Sequence, residues 1–182
     1  MSIRSVSNSP MANGGLLNVS SGQLPAGSVL QVVSTTKTDT FTTTSTSFAD
    51  VTGLTVNITP VSTSSKVYVS VSIPFAADGT TSQRAGWSVF RGSTNLVTAT
   101  SPGNRSPVAH FPSDNGLNAR LQFRSSSFLV LDLPNTTSET TYKVMAIVES
   151  GGNAFINRAQ IDGDVYSVPR GVSTITLMEV AG

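Results

Sequence analysis

The sequence contains no cysteine and a single histidine, and only 12% of its residues are charged. The absence of cysteine excludes disulfides, thiolate catalysis and cysteine-ligated metals. No apolar run approaches the roughly 20 residues that are needed to cross a bilayer. The N-terminus also lacks the apolar segment of a secretory signal. We therefore expect no membrane partner, and assembly in the cytoplasm of the cell that makes the protein.

Basic residues are also sparse, since three Lys and eight Arg are spread over 182 residues and the net charge is +1. Binding to a phosphate backbone needs clustered cations, so the sequence predicts no nucleic-acid partner. Hydrophobic residues make up 38% of the chain, and Ser and Thr roughly a quarter. This composition predicts a folded domain whose surface carries hydroxyls and amides in place of ions.

No arrangement of side chains predicts an enzyme. His110 would have to serve any Ser-His-Asp triad, yet it lies in a proline-rich loop, where a structural role is the simpler interpretation. A glycosidase needs two facing carboxylates, and the ten acidic residues are scattered. Asp162 and Asp164 flank Gly163 and could bind Ca²⁺, but Asp-Gly is a common turn and no further acidic ligand is near in sequence. We expect no catalytic residue, no metal site and no cofactor.

Turn residues alternate with short β-branched runs from Gly27 onward, which is typical of an all-β domain. The run Val67–Ile73 alternates apolar and polar residues most regularly, as a half-buried strand does. The predicted fold is an antiparallel β-sandwich, most consistent with a jelly roll, over residues 26–182. The predicted strands are Val29–Lys37, Phe41–Phe48 (an edge strand or a loop), Leu54–Ile58, Val67–Ile73, Trp87–Arg91, Asn95–Thr100, Leu121–Phe123, Phe128–Leu133, Tyr142–Glu149, Ala154–Ile161 and Val172–Val180.

Residues 1–25 show neither a helical nor a strand period and are predicted to form an extended N-terminal arm. The short apolar pieces of this arm are Leu16, Leu17 and Val19, which we assign to docking on a partner. A terminus without fixed structure is the alternative interpretation.

Three of the later predicted strands are apolar at consecutive positions, and therefore on both faces. A strand in a monomeric sandwich should keep one face for water. The outer face is then covered by another subunit, or by a loop such as Ser101–Asn118. The residues assigned to this subunit interface are Leu129, Leu131, Met145, Ile147, Leu177 and Met178.

A second candidate surface carries two arginines. Arg120, Gln122 and Arg124 alternate with Leu121 and Phe123, so they would share one face of a strand. Arginine is well suited to carboxylates and planar polar groups at interfaces. This face is either a partner-binding surface or an ordinary solvated one.

Several segments of the chain carry a resemblance to a known class of proteins. In order, they are Gly27–Val33, Phe48–Pro60, Ser64–Val69, Trp87–Gly92 and Ser173–Val180. This run resembles the small β-domains of tailed-bacteriophage virion proteins, especially fibre-like and decoration proteins of phages that infect cyanobacteria. The resemblance covers roughly residues 26–182 and rests on the order and texture of the segments, without a catalytic signature.

The resemblance implies a trimeric jelly roll on the virion surface, attached to the particle by its N-terminal segment. The expected partners are the protein itself, as a homotrimer, and the major capsid protein or tail subunits. Only about 25 residues precede the domain, which favours a capsid decoration (cement) protein or a short head fibre over a tail fibre with a long shaft. The alternative is a tail-fibre or receptor-binding tip that recognises host surface polysaccharide.

Overall fold

The computed structural model describes residues 24–78, 84–98, 100, 107–110, 121–148 and 151–182. Leu16, Leu17, Val19, Arg120 and most of Ser101–Asn118 lie outside these ranges. The described residues form ten strands: β1 (Val29–Lys37), β2 (Phe41–Thr43), β3 (Ala49–Ile58), β4 (Lys66–Ala77), β5 (Ala85–Arg91), β6 (Thr94–Asn95), β7 (Arg124–Asp132), β8 (Thr140–Val148), β9 (Ala154–Ile156) and β10 (Ser173–Val180).

The strands form two antiparallel sheets, which confirms the predicted all-β sandwich. In the first sheet, β4 pairs with β7 on one side and with β10 and β9 on the other, and β1 and β2 lie beyond these. The second sheet has the order β3-β8-β5-β6. The pairs are nested, since β1 pairs with β10, β3 with β8, β4 with β7 and β5 with β6. This nesting is the arrangement of a jelly roll, with β2 and β9 as short additions.

The core lies between the sheets and is built from alternate strand positions. In β4, Val67, Val69, Val71 and Ile73 are at most 1% exposed, whereas Tyr68 faces outward and is half-buried. The predicted alternation of this strand is therefore confirmed. The largest side chains that the two sheets bury between them are Trp87, Tyr142, Phe75, Leu54, Ile73, Ile156, Ile175 and Leu177.

A bulge in β3 lets the strand keep its apolar side chains in the core. Val51 and Leu54 are both fully buried, although they are three positions apart and a regular strand would point them to opposite faces. The register with β8 shifts between Asp50 and Thr55, and Gly53 within this stretch has a φ of +84°. Glycine adopts this left-handed conformation without steric cost. The bulge can therefore place the side chains of Val51 and Leu54 on the same face of the strand.

The predicted strand boundaries agree with the structure in some places and are wrong in others. β1 has the predicted bounds, and the hairpin around Gly92 is present, with Phe90 opposite Asn95. Its second strand, however, ends at Asn95. The prediction of a strand at Leu121–Phe123 is wrong, because β7 begins only at Arg124. Strand propensity does not show where a segment has no neighbouring strand to pair with. The end of β6 and the start of β7 were set by hydrogen-bonded pairing and not by propensity.

Candidate interaction surface

The outer face of the first sheet carries an apolar row that runs across four strands. Val32, Met178, Tyr68 and Leu131 are direct cross-strand partners from β1 through β10 and β4 to β7. Val32 is 55% exposed and Leu131 51% exposed. Directly opposite residues on one sheet face are neighbours, so these four side chains form a continuous band, which we call the apolar row.

Further apolar side chains lie on both sides of the apolar row. Val29 and Val180 are partners at one end of the sheet, and Leu133 follows the end of β7. Leu129 lies one row further along, on the same face as Leu131. The exposed apolar side chains that flank the row are Val29, Leu129 and Leu133, each more than half exposed.

The other end of this face is lined by hydroxyl groups. Ser34, Thr176 and Ser70 are cross-strand partners that continue to Leu129, and the Oγ of Ser34 lies 2.9 Å from the Oγ1 of Thr176. The next row consists of Thr36, Thr174, Ser72 and Ser127. From the apolar row to this last row, the paired outward positions of β1, β10, β4 and β7 carry no charged side chain. We call this surface the first-sheet outer face.

The structure separates the six predicted interface residues into three groups. Leu129, Leu131 and Met178 share the first-sheet outer face. Met145 and Ile147 lie half-buried on the outer side of β8 in the second sheet. The assignment of Leu177 to an outer face is wrong, because this side chain is 0% exposed in the core of the chain itself. Successive residues of a strand point to opposite faces, so Leu177 and Met178 cannot serve one surface.

The outer side of the second sheet differs in character from the first-sheet outer face. Lys143 Nζ lies 2.7 Å from Asp50 Oδ1 across this surface. Ser88 is fully buried, and its hydroxyl donates a 2.6 Å hydrogen bond to Asn95. The Phe90 ring packs edge-on against Phe48, with 5.0 Å between ring centroids. Part of this surface is therefore already covered by the chain itself, and another part carries an ion pair.

Two of the three residues of the predicted arginine surface lie in the described part of the chain. Gln122 and Arg124 are both exposed, but Gln122 precedes β7, which begins at Arg124. Arg120 lies outside the described residues. The strand predicted at Leu121–Phe123 is therefore absent, and a partner-binding role for this surface stays a prediction.

His110 and Asp162 occupy structural positions. The backbone carbonyl of His110 accepts a hydrogen bond from the Trp87 N–H, and its ring packs edge-on against Phe75 with 6.3 Å between centroids. The Asp162 carboxylate lies 2.8 Å from Arg170 and 3.4 Å from Arg158. Two guanidinium groups already neutralise this carboxylate, so it is poorly suited to bind Ca²⁺.

Neither a metal cluster nor a membrane-spanning helix is found in the part of the chain that the structure describes. In the described ranges, no group of three or more His, Asp or Glu side chains is placed to hold a metal ion. The same part of the chain has no helix of the length and apolarity needed to cross a membrane.

Sequence reasoning missed Tyr166, an aromatic side chain with a relative exposure of 108%. It lies in the loop between β9 and β10, where no hydrophobic period marks it. The only available signal was composition, because Asp162, Asp164, Tyr166 and Arg170 bring acidic, aromatic and basic groups into one short segment.

The chain is distantly similar in structure to several solved proteins, among them two structures from one virus. No protein-family model and no curated protein matches the chain. The chain is similar to a structure of infectious bursal disease virus Gx strain, with 13% identity and a TM-score of 0.39 over 85% of this chain and 39% of that chain. It is also similar to the VP2 subviral particle of infectious bursal disease virus, with 14% identity and a TM-score of 0.37 over 83% of this chain and 38% of that chain. The chain spans less than half the length of either protein.

Proposed function

We propose that the protein is a non-enzymatic structural component of a tailed-phage virion, a capsid decoration protein or a short head fibre. It assembles as a homotrimer through the first-sheet outer face and is attached to the particle by residues 1–25. The resemblance of five sequence segments to phage virion β-domains supports this proposal. All five segments contribute to strands of the sandwich, namely β1, β3, β4, β5 and β10.

The observation that carries the proposal is the exposed apolar row. Val32 and Leu131 at the two ends of the row, and Leu129 beside Leu131, are each more than half exposed on one face. Isolated exposed apolar residues are ordinary, but a contiguous band across four strands is typical of a protein interface. Covering this band with another protein surface removes apolar area from water and stabilises the assembly.

The absence of charge on the paired rows favours a second copy of the chain as the occupant. Residues close to the axis of a symmetric assembly lie near their own copies, and like charges there would repel by several kcal/mol. The first-sheet outer face avoids this cost because its paired positions carry only apolar and hydroxyl side chains. Hydroxyl groups such as Ser34 and Thr176 can donate as well as accept, so they too are compatible with their own copies.

In a closed trimer each copy offers two different patches to its two neighbours, and these patches lie side by side around the threefold axis. Met145 and Ile147 lie on the opposite side of the molecule from Leu131 and Met178. A contact between opposite faces repeats in one direction and builds an open stack. We therefore assign the interface to Leu129, Leu131 and Met178, together with Val32 and Tyr68.

The chain enters the domain at the apolar end of the first-sheet outer face. The Gly27 N–H donates to the Ala181 carbonyl, and the Ala181 N–H donates to the Ser28 carbonyl, each at 2.8 Å. Val29 and Val180 follow directly on this end of the sheet. Pro25, the last residue of the proposed arm, is therefore close to the proposed trimer contact, since its carbonyl accepts a 3.1 Å hydrogen bond from the Ser28 N–H. An arm that joins the domain here can reach the shell from beside the trimer axis.

Sedimentation of the full-length protein, together with electron cryomicroscopy of intact particles, tests the proposal. We expect a species of three times the 18.9 kDa chain mass that stays associated at micromolar concentration, because an obligate interface buries upwards of about 2,000 Å². Density for the trimer should lie on the capsid or at its vertices. A stable monomer at that concentration, or a protein absent from particles, would overturn the proposal.

A second candidate function is that of a receptor-binding tip for host surface polysaccharide. One specific observation favours it, the fully exposed Tyr166 in the β9–β10 loop. This function is compatible with a place on the virion surface.

A further inference from the structure

The loop between β9 and β10 has the form of an Ω-loop whose two ends are fastened together. Arg158 and Arg170 are paired as an isolated β-bridge, and the Gly171 N–H donates a 3.0 Å hydrogen bond to the Asn157 carbonyl. Compact surface loops with adjoining ends are often functional. We call residues 158–170 the Ω-loop.

The base of the Ω-loop is fixed to the sandwich by one buried side chain. Asn157 is 0% exposed, and its Nδ2 donates to the carbonyls of Lys37 and Asp39 at 2.8 and 2.9 Å. The Ser173 hydroxyl donates a 2.6 Å hydrogen bond to the Asn157 Oδ1. Asn157 also has a φ of +62°, a conformation that asparagine accepts more readily than most residues. The chain therefore leaves and re-enters the sheet at defined positions.

The interior of the Ω-loop is held by ionic contacts. Asp162 lies between Arg158 and Arg170. The Arg158 guanidinium stacks over the Phe155 ring at 5.1 Å and also donates to the carbonyls of Ala159 and Gln160. These contacts need no ligand, so the loop is ordered before any partner arrives. Such preorganisation lowers the entropy cost of binding.

The Ω-loop presents an open cleft, and Tyr166 lies in the turn between Val165 and Val168, two residues that line this cleft. The cleft has a volume of about 280 Å³, close to the lower end of the range of roughly 300–1,000 Å³ for small-molecule sites. The Arg170 side chain is 59% exposed, and Tyr166 follows directly on the cleft-lining Val165. The residues that line the cleft are Asp162, Gly163, Asp164, Val165, Val168 and Arg170.

We propose that this cleft, with Tyr166, binds a neutral saccharide unit. The apolar C–H face of a sugar ring can lie on the Tyr166 ring, which offers a large rigid contact surface at small entropy cost. The exposed Asp164 carboxylate can accept hydrogen bonds from adjacent sugar hydroxyls, and Arg170 can donate to a hydroxyl or the ring oxygen. The assignment deepens the second candidate function, on which it rests, and does not depend on the trimer contact.

The charges of the loop favour a neutral ligand. Arg158 and Arg170 balance Asp162 and Asp164, so no excess of either sign is available for a phosphate or a cationic peptide. A protein partner is disfavoured by size, because a standard protein interface covers about 800 Å² on each side. The exposed apolar side chains beside the cleft are few, chiefly Val165 and Tyr166.

Titration calorimetry of the full-length protein with short neutral oligosaccharides of glucose, galactose, mannose and rhamnose tests this site. We expect at least one of them to bind with a Kd of about 1 mM or tighter. Tyr166→Ala should weaken that binding at least about tenfold, whereas Tyr166→Phe keeps the ring and should stay within about threefold. Asp164→Asn, at an exposed position, should weaken binding without affecting the fold.

Three outcomes would overturn the site. The first is that none of the neutral oligosaccharides binds. The second is that Tyr166→Ala binds as the unchanged protein does, which would place any sugar site elsewhere. The third is loss of binding in Leu131→Glu, a variant of the apolar row, because the cleft lies within one chain and should survive dissociation. A monomeric protein that binds sugar through Tyr166 would refute the trimer and leave this site standing.

Discussion

The Tyr142 hydroxyl donates a 2.7 Å hydrogen bond to the Asp132 carboxylate, which connects β8 of the second sheet to the end of β7 in the first. Arg91 Nη1 lies 2.8 Å from the same carboxylate oxygen. Tyr142 is fully buried. Burial raises the pKa of Tyr142 far above its ordinary value, and the hydrogen bond to Asp132 raises this pKa further. The folded state therefore favours the protonated phenol.

This raised pKa predicts a loss of stability in alkali. A group whose folded pKa exceeds its unfolded value contributes fully below the unfolded pKa, here about 10. The contribution is lost as the pH rises toward the folded pKa. In the unchanged protein, this group should lower the free energy of unfolding by about 1 kcal/mol between about pH 10 and 11. That part of the fall should be absent in Tyr142→Phe. Urea denaturation at both pH values measures the effect, with Tyr166→Phe, at a fully exposed position, as the control. An unchanged pH dependence in Tyr142→Phe would contradict the prediction.

Leu177 and Met178 are adjacent in sequence but should differ in what they stabilise. Leu177→Ala leaves a cavity in the core and should lower the free energy of unfolding by about 2–5 kcal/mol. Met178→Ala should cost less than about 1 kcal/mol in the isolated chain, because Met178 is only half-buried. Denaturation of both variants at a concentration where the chain is monomeric separates the two effects. Equal losses would show that the two side chains share one environment.

A charge in the apolar row should prevent association. Leu131→Glu brings a carboxylate into each copy of the interface, and we expect association to weaken about a hundredfold or more, since like-charge contacts cost several kcal/mol. Sedimentation velocity measures the change. Asn57→Glu, at an exposed position of the second sheet, is the matched control and should remain trimeric. If Leu131→Glu remained trimeric and Asn57→Glu dissociated, the interface would lie on the second sheet.

Glu179 is a buried carboxylate that fastens two neighbouring segments. It is 0% exposed and accepts hydrogen bonds from Gln31 Nε2 at 2.5 Å and from the Val61 N–H at 2.8 Å. Glu179→Ala leaves these donors without their acceptor and should cost about 1–3 kcal/mol of stability. Thermal and urea denaturation report the loss. The exposed Glu139→Ala is the control and should change stability by less than about 0.5 kcal/mol.

Removal of residues 1–23 tests the anchoring role of the arm. The deletion retains the Gly27–Ala181 contact, so we expect a folded trimer with unchanged urea denaturation that no longer binds particles. Co-sedimentation of the purified protein with particles lacking it measures attachment. The triple variant of Leu16, Leu17 and Val19 to Ser is a milder form and should also fail to bind. Normal occupancy by the deleted form would show that attachment runs through the β-domain.

Much of the fold could be predicted because local patterns and global pairing agree. Val67–Ile73 alternates with a period of two, and such a strand has one stable placement, with its valines in a core. β1 was bounded correctly by Gly27 before it and by the polar residues after Lys37. Less could be predicted where pairing, and not propensity, sets the ends, as at Leu121–Phe123. The residues of the proposed interface could not be separated from core residues by sequence, since an apolar run shows that both faces of a strand are apolar but not which residue lies on which face.

The sequence by itself determined the class of the molecule: an all-β domain without cysteine, poor in charge and with apolar residues on both faces of several strands. These properties follow from composition and from the period of single strands. Only the tertiary structure decided that Val32, Met178, Tyr68 and Leu131 form one row, that Leu177 belongs to the core, and that Tyr166 stands exposed on a fastened loop. Cross-strand register joins residues that are up to 151 positions apart, as in the pair Val29 and Val180, and it is the pairing of the backbones that places their side chains side by side.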